Sequence, residues 1–253
     1  MTISQRMRAW MLSCARLIRS ARTPLLVSAA TIVAGSAHAS YDVSPIRQQL
    51  TWNARATFVE IRNRGIHAAH FEVEPMTWQS NVDGTSQTSP TEDVTATPRQ
   101  FDLKPGTSQI VRVFFHAAPD PVNEQRWRIF LREQSRGGFE PSPTEGSTVQ
   151  VLFHLSTPIF RIPKGAQAQL DWSVGVVEGQ NVFSVTNRGA RYALLSEFKN
   201  ADGTIVEGVS GYVLPGQTRK FLLPTDNRSS KFSYRLSGDP DPSVRTVKLL
   251  TTP

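Results

Sequence analysis

Residues Thr148 to Phe160 read TVQVLFHLSTPIF. Val149, Val151, Phe153 and Leu155 share one face; Gln150, Leu152, His154 and Ser156 share the other. Strict period-two alternation without an acid or a base predicts a β-strand with one apolar row, over about 149–155. A Gly/Pro/Ser-rich loop, SRGGFEPSPTEGS (135–147), precedes it, and Pro163-Lys164-Gly165 follows. An apolar strand at such a boundary is an aggregation hazard unless something covers it. It is therefore a candidate for use by a partner.

Outward from this strand the same period continues. YDVSPIRQQL (41–50), ATFVEIRN (56–63), the segment around 69–78, QIVRVFFH (109–116) and RWRIFLRE (126–133) all read as strands between Asn, Gly, Pro or Asp turns. Nothing after residue 40 shows a helical period. The expectation is an all-β chain of β-sandwiches. A weak internal repeat divides it. Asn63-Arg64-Gly65 and Asn187-Arg188-Gly189 each end a strand. Leu103-Lys104-Pro105-Gly106 and Leu214-Pro215-Gly216 each precede the next. Two related domains are expected, 40–163 and 166–253.

The first 39 residues are set aside as a secretory signal peptide. Five arginines and no acid precede an apolar run, PLLVSAATIVAG (24–35), and Ala37-His38-Ala39 forms an A-x-A cleavage site before Ser40. That run is too short to span a bilayer. The net charge of +7 and pI near 10.0 lean on this leader. Of 28 basic residues five lie within it, leaving 23 against 21 acids, a net of +2. Bulk charge thus gives no reason to expect a nucleic-acid partner. Cys14, the single cysteine, is also in the leader, so the exported chain is expected to hold by its core without a disulfide.

Catalytic and metal signatures are absent from the sequence after residue 40: no G-x-S-x-G, H-E-x-x-H, P-loop or G-x-G-x-x-G occurs. His67 and His70 are the only close histidine pair and have no acid in ligand spacing. No catalytic residue, metal or cofactor is assigned.

Several segments together resemble a known family. They are V-S-P-I-R (43–47), sixteen positions before Asn63; D-L-K-P-G-T-S-Q-I-V-R-V (102–113); E-Q-R-W-R-I-F-L-R-E (124–133); P-I-F-R-I-P (158–163); and G-Y-V-L-P-G-Q-T-R (211–219). The chain is similar to the periplasmic chaperones of chaperone–usher pilus assembly. Met76-Thr77-Trp78 and the 211–219 segment resemble the archaic, non-classical branch. The resemblance implies two immunoglobulin-like sandwiches in an L-shaped arrangement. It implies pilus subunits and an outer-membrane usher as partners, and a strand lent to an incomplete subunit. Val149, Val151, Phe153 and Leu155 would then be the donor residues. By spacing, Arg47 matches an arginine that grips the subunit's C-terminal carboxylate. The family's companion lysine falls on Pro158, leaving Arg112 and Lys164 as weak substitutes. Glu124 matches an acid of an interdomain salt bridge, with Arg161 its expected partner. Two other classes are weighed: a structural sandwich subunit of a surface filament or envelope complex, and a secreted carbohydrate-binding or hydrolytic protein. The first expected strand begins almost at Ser40, without a donor extension, and carboxylates do not cluster at loop tips; both features favour the chaperone reading.

Overall fold

The computed structural model describes residues 41–135, 152–177, 180–222, 231–236 and 245–248. These are strands and turns without a helix. In chain order the first ten strands are β1 (Tyr41–Ser44), β2 (Gln48–Thr51), β3 (Ala56–Asn63), β4 (Ala69–Ser80), β5 (Ser86–Pro90), β6 (Val94–Thr97), β7 (Gln100–Leu103), β8 (Ser108–Phe115), β9 (Gln125–Gln134) and β10 (His154–Ile162). One sheet has the order β1-β3-β8-β6; the other runs β2-β10-β9-β4-β5, with β7 also on β4. Alternate residues of both sheets, among them Ile61, Phe71, Val111, Ile129 and Ile159, fill the core between them.

Seven strands follow: β11 (Leu170–Val177), β12 (Gln180–Asn187), β13 (Ala193–Asn200), β14 (Gly211–Val213), β15 (Thr218–Leu222), β16 (Lys231–Leu236) and β17 (Arg245–Lys248). They form sheets β11-β12-β15 and β14-β13-β16-β17 around Phe183, Phe198, Phe232 and Leu236.

The repeat has a physical basis. Asn63 is buried; its amide donates to the carbonyls of His67 and Leu103 at 2.8 and 3.0 Å, and its Oδ1 accepts the Gly65 N–H. Asn187 does the same with Arg191, Val213 and Gly189. Gly106 and Gly216 both adopt φ +74° and donate their N–H to the carbonyls of Asn63 and Asn187. Only a short amide closes so many backbone groups at once, and only glycine takes the left-handed turn without strain. Replacing Asn187 with alanine leaves buried carbonyls unpaired and should cost about 2–3 kcal/mol in urea unfolding. A loss within error would show that the network is incidental.

Two strand boundaries differ from expectation. The segment 41–50 divides into β1 and β2, one in each sheet, so the first strand switches sheets around Pro45. The strand expected at 149–155 is described only from its far end, and it continues through Pro158 to Ile162. Pro158 is tolerated because β2 pairs with β10 only from Ile159 onward, leaving no neighbour there to need its missing N–H.

Candidate functional site

β10 has two kinds of edge. On one side it pairs with β9 from His154 to Arg161. On the other, β2 pairs in parallel only at Ile159–Ile162. From His154 to Pro158 that second edge has no strand partner among the described residues. An open row of backbone donors and acceptors is a template for an incoming strand.

Val149 and Val151 lie outside the described residues. Phe153 is half-buried and closes one end of the first core, with its ring 5.0 Å from Tyr41 and 6.4 Å from Phe71. Its carbonyl accepts the Glu133 N–H at 2.8 Å and its own N–H donates to Glu133 Oε2 at 3.0 Å. Leu155, opposite Leu131, is also half-buried. By strand parity Phe153 and Leu155 share the face that packs the chain's own core at Ile159.

The opposite face of the same sheet is also covered, which alternation alone could not reveal. Trp78 and Phe160 pack with Tyr192 and Leu214 of the second sandwich. Phe160 stacks on Tyr192 at 4.0 Å, and Trp78 meets Tyr212 edge-on at 5.0 Å. Arg126 and Arg128 line this joint and were not singled out by the sequence. Arg126 donates to the Trp78 carbonyl at 3.0 Å. The Arg128 guanidinium lies 4.0 Å over the Trp78 ring and donates to Ser156 Oγ at 2.7 Å, while its Nε is buried without a partner. Burial pulls both guanidiniums below their ordinary pKa. The missed signal was the run Pro158-Ile159-Phe160, apolar on both faces, which marks a strand covered on both sides.

Arg47 is half-buried between β1 and β2, and its charge acts on the Tyr192 phenol. Burial raises that phenol's pKa, and Arg47, the Gln49 amide and Arg191 oppose the rise. Gln49 in turn accepts from Arg191 at 2.7 Å. Arg112 lies elsewhere, on the outward face of β8 opposite Phe58. Lys164 is exposed in the turn after β10.

The expected ion pair between Glu124 and Arg161 does not form. Arg161 is 1% exposed and donates to the carbonyls of Trp52 (2.9 Å) and Ala117 (3.1 Å), with Phe115 and Trp127 against its guanidinium. Its side chain points into the first core, away from the joint, because residue 161 shares the parity of Ile159. Glu124 does link the sandwiches, but through a neutral donor: its Oε2 accepts the Tyr192 N–H at 2.8 Å, and its Oε1 has no partner.

Burial pushes the Glu124 carboxyl up to about 7, against the Tyr192 N–H and the charges of Arg126 and Arg191. Between the ordinary 4.5 and about 7, the folded chain holds a proton that the unfolded chain has released. Stability from this group therefore falls as pH rises through that window, by a few kcal/mol at most (about 1.4 per pH unit), and is level above it. Glu124→Gln keeps an acceptor for Tyr192 and should remove this slope in urea unfolding at graded pH. Equal slopes in the two proteins would assign the titration to another group.

A second link lies at the β4–β5 hairpin. Val82 accepts the Lys220 N–H at 2.7 Å, and Ser80 N–H donates to Gln217 Oε1 at 3.2 Å. The Arg219 guanidinium fills the space that a Cβ on Gly84 (φ +89°) or Gly211 (φ +110°) would need. Backbone angle favours glycine at both positions, and a Cβ at either would oblige the Arg219 side chain to move.

A scan of the sequence against protein-family models finds no match, and no curated protein matches it. Solved structures do. The chaperone–tip adhesion subunit pre-assembly complex of the archaic Csu pili of Acinetobacter baumannii (CsuC–CsuE) aligns with a TM-score of 0.68 and 22% identity, covering 84% of this chain and 100% of that one. The fold is that of the pilus chaperones. The E. coli chaperone DraB aligns at 0.59 with 16% identity, over 83% of this chain and 96% of its own. The SafB chaperone, in complex with the SafA pilin of Salmonella enterica, aligns at 0.58 with 15% identity, over 78% and 89%.

Proposed function

We propose that the chain is a periplasmic chaperone that binds, folds and caps pilus subunits by lending them residues 148–155, then delivers them to an outer-membrane usher. The observation that carries this reading is the edge of β10 from His154 to Pro158, which has no strand partner among the described residues and follows the apolar residues Val149, Val151 and Phe153 in the sequence. Main-chain pairing along that edge gives affinity, and alternate side chains filling subunit pockets give specificity. Residues 1–39 are the leader that exports it, cleaved near Ala39/Ser40. The domains run 40–163 and 166–253.

The subunit's terminal carboxylate goes to Arg47, whose fork can grip it bidentately. Arg128 stands directly across from Pro158, the position of the relatives' lysine, and supplies the second cation. Arg112, on the outward face, is not part of this anchor. Glu124 sets the joint through Tyr192. Periplasmic co-expression with a subunit encoded beside the gene tests the reading. A one-to-one complex that disappears when Val149, Val151 or Phe153 is altered supports it; a subunit recovered equally well without this chain overturns it.

A further inference from the structure

The sheet β1-β3-β8-β6 turns an outer face to solvent that neither the open edge nor the joint uses. Strand parity places Phe58 and Glu60 of β3 beside Ile110, Arg112 and Phe114 of β8 on that face, because Val59, Ile61, Val111 and Val113 fill the core. Phe58, Ile110 and Phe114 are 50%, 47% and 41% exposed, around a shallow groove of about 380 Å³. Single exposed apolar residues are ordinary, whereas three adjoining ones around a cation mark an interaction surface.

The register supplies the identity of the partner. Phe58 stands opposite Arg112 and Glu60 opposite Ile110. The four form a quartet with acid and base at two opposite corners and apolar side chains at the other two. Neither Glu60 nor Arg112 makes an ion pair among the described residues.

We infer that this face docks a second copy of the chain, sheet on sheet, about a two-fold axis along the Phe58–Ile110 diagonal. Rotation about that line brings Arg112 onto the copy's Glu60 and Glu60 onto the copy's Arg112. Phe58 and Ile110 then meet their own equivalents. The strands cross steeply, an orthogonal sheet packing, and the patch is self-complementary as an isologous contact requires.

Sedimentation velocity of the exported chain, from micromolar to near-millimolar concentration, tests this. The expected result is a monomer–dimer equilibrium that weakens with salt. Arg112→Glu and Glu60→Arg should each raise the dissociation constant by about tenfold or more, and the double exchange should restore it. Val151→Arg should leave the dimer intact, which separates it from self-association through the proposed donor segment. A chain monomeric throughout would overturn the inference. So would a dimer indifferent to salt and to both exchanges, or one abolished by Val151→Arg. Circular dichroism checks that each variant is folded, and the salt dependence of the unaltered chain decides the matter should one not be.

Discussion

Replacing Val151 with arginine is expected to abolish subunit capture. In the proposed complex this side chain fills a subunit pocket, where burying a valine stabilises by about 1.5–3 kcal/mol. An arginine there loses that contribution and adds an unpaired buried charge, at a further cost of several kcal/mol. Together these weaken binding by at least about a thousandfold, enough to leave no complex after periplasmic co-expression. Phe153→Asp is the less clean variant, because Phe153 also packs on Tyr41 and Phe71 of the chain's own core. Its loss would lower the stability of this chain as well as capture. Recovery of a normal amount of complex with Val151→Arg would remove the donor row from the account.

The second large effect is expected at Phe160. This ring is fully buried, stacked on Tyr192 and tilted against Trp78 and Tyr212. Truncation to alanine removes contacts from two sandwiches at once and should cost about 3–5 kcal/mol. Urea unfolding followed by tryptophan fluorescence reads the loss, since Trp78 lies in the same cluster. A change below about 1 kcal/mol would mean that the joint repacks around the vacancy. Phe160→Leu should recover part of the loss because it retains much of the buried volume.

Features written into local chemistry were legible in the sequence. Asn63 and Asn187 announce themselves through the glycine two residues on and the Pro-Gly turn downstream, because one short amide and one left-handed turn recur wherever this corner is built. β3 was bounded correctly for the same reason, between turns with inward Val59 and Ile61. Long-range properties were not legible. Strand alternation shows that β9 has a polar face but not that a second sandwich lies on it, so nothing in the sequence singled out Arg126 and Arg128. The Glu124–Arg161 pairing failed because strand parity decides whether a charge reaches the joint or the core, and residue 161 shares the inward parity of Ile159. The strand around Pro158 was cut short because the proline's cost depends on where β2 begins, a fact of pairing and not of composition.

The central claim is that the row containing Val151 enters the subunit while Gln150 stays outside it. A photo-crosslinking residue placed singly at positions 150 and 151 tests this directly during co-expression with the subunit. The account predicts a strong adduct between this chain and the subunit from position 151, with little from 150. Equal adducts from the two positions, or an adduct from 150 alone, would contradict it.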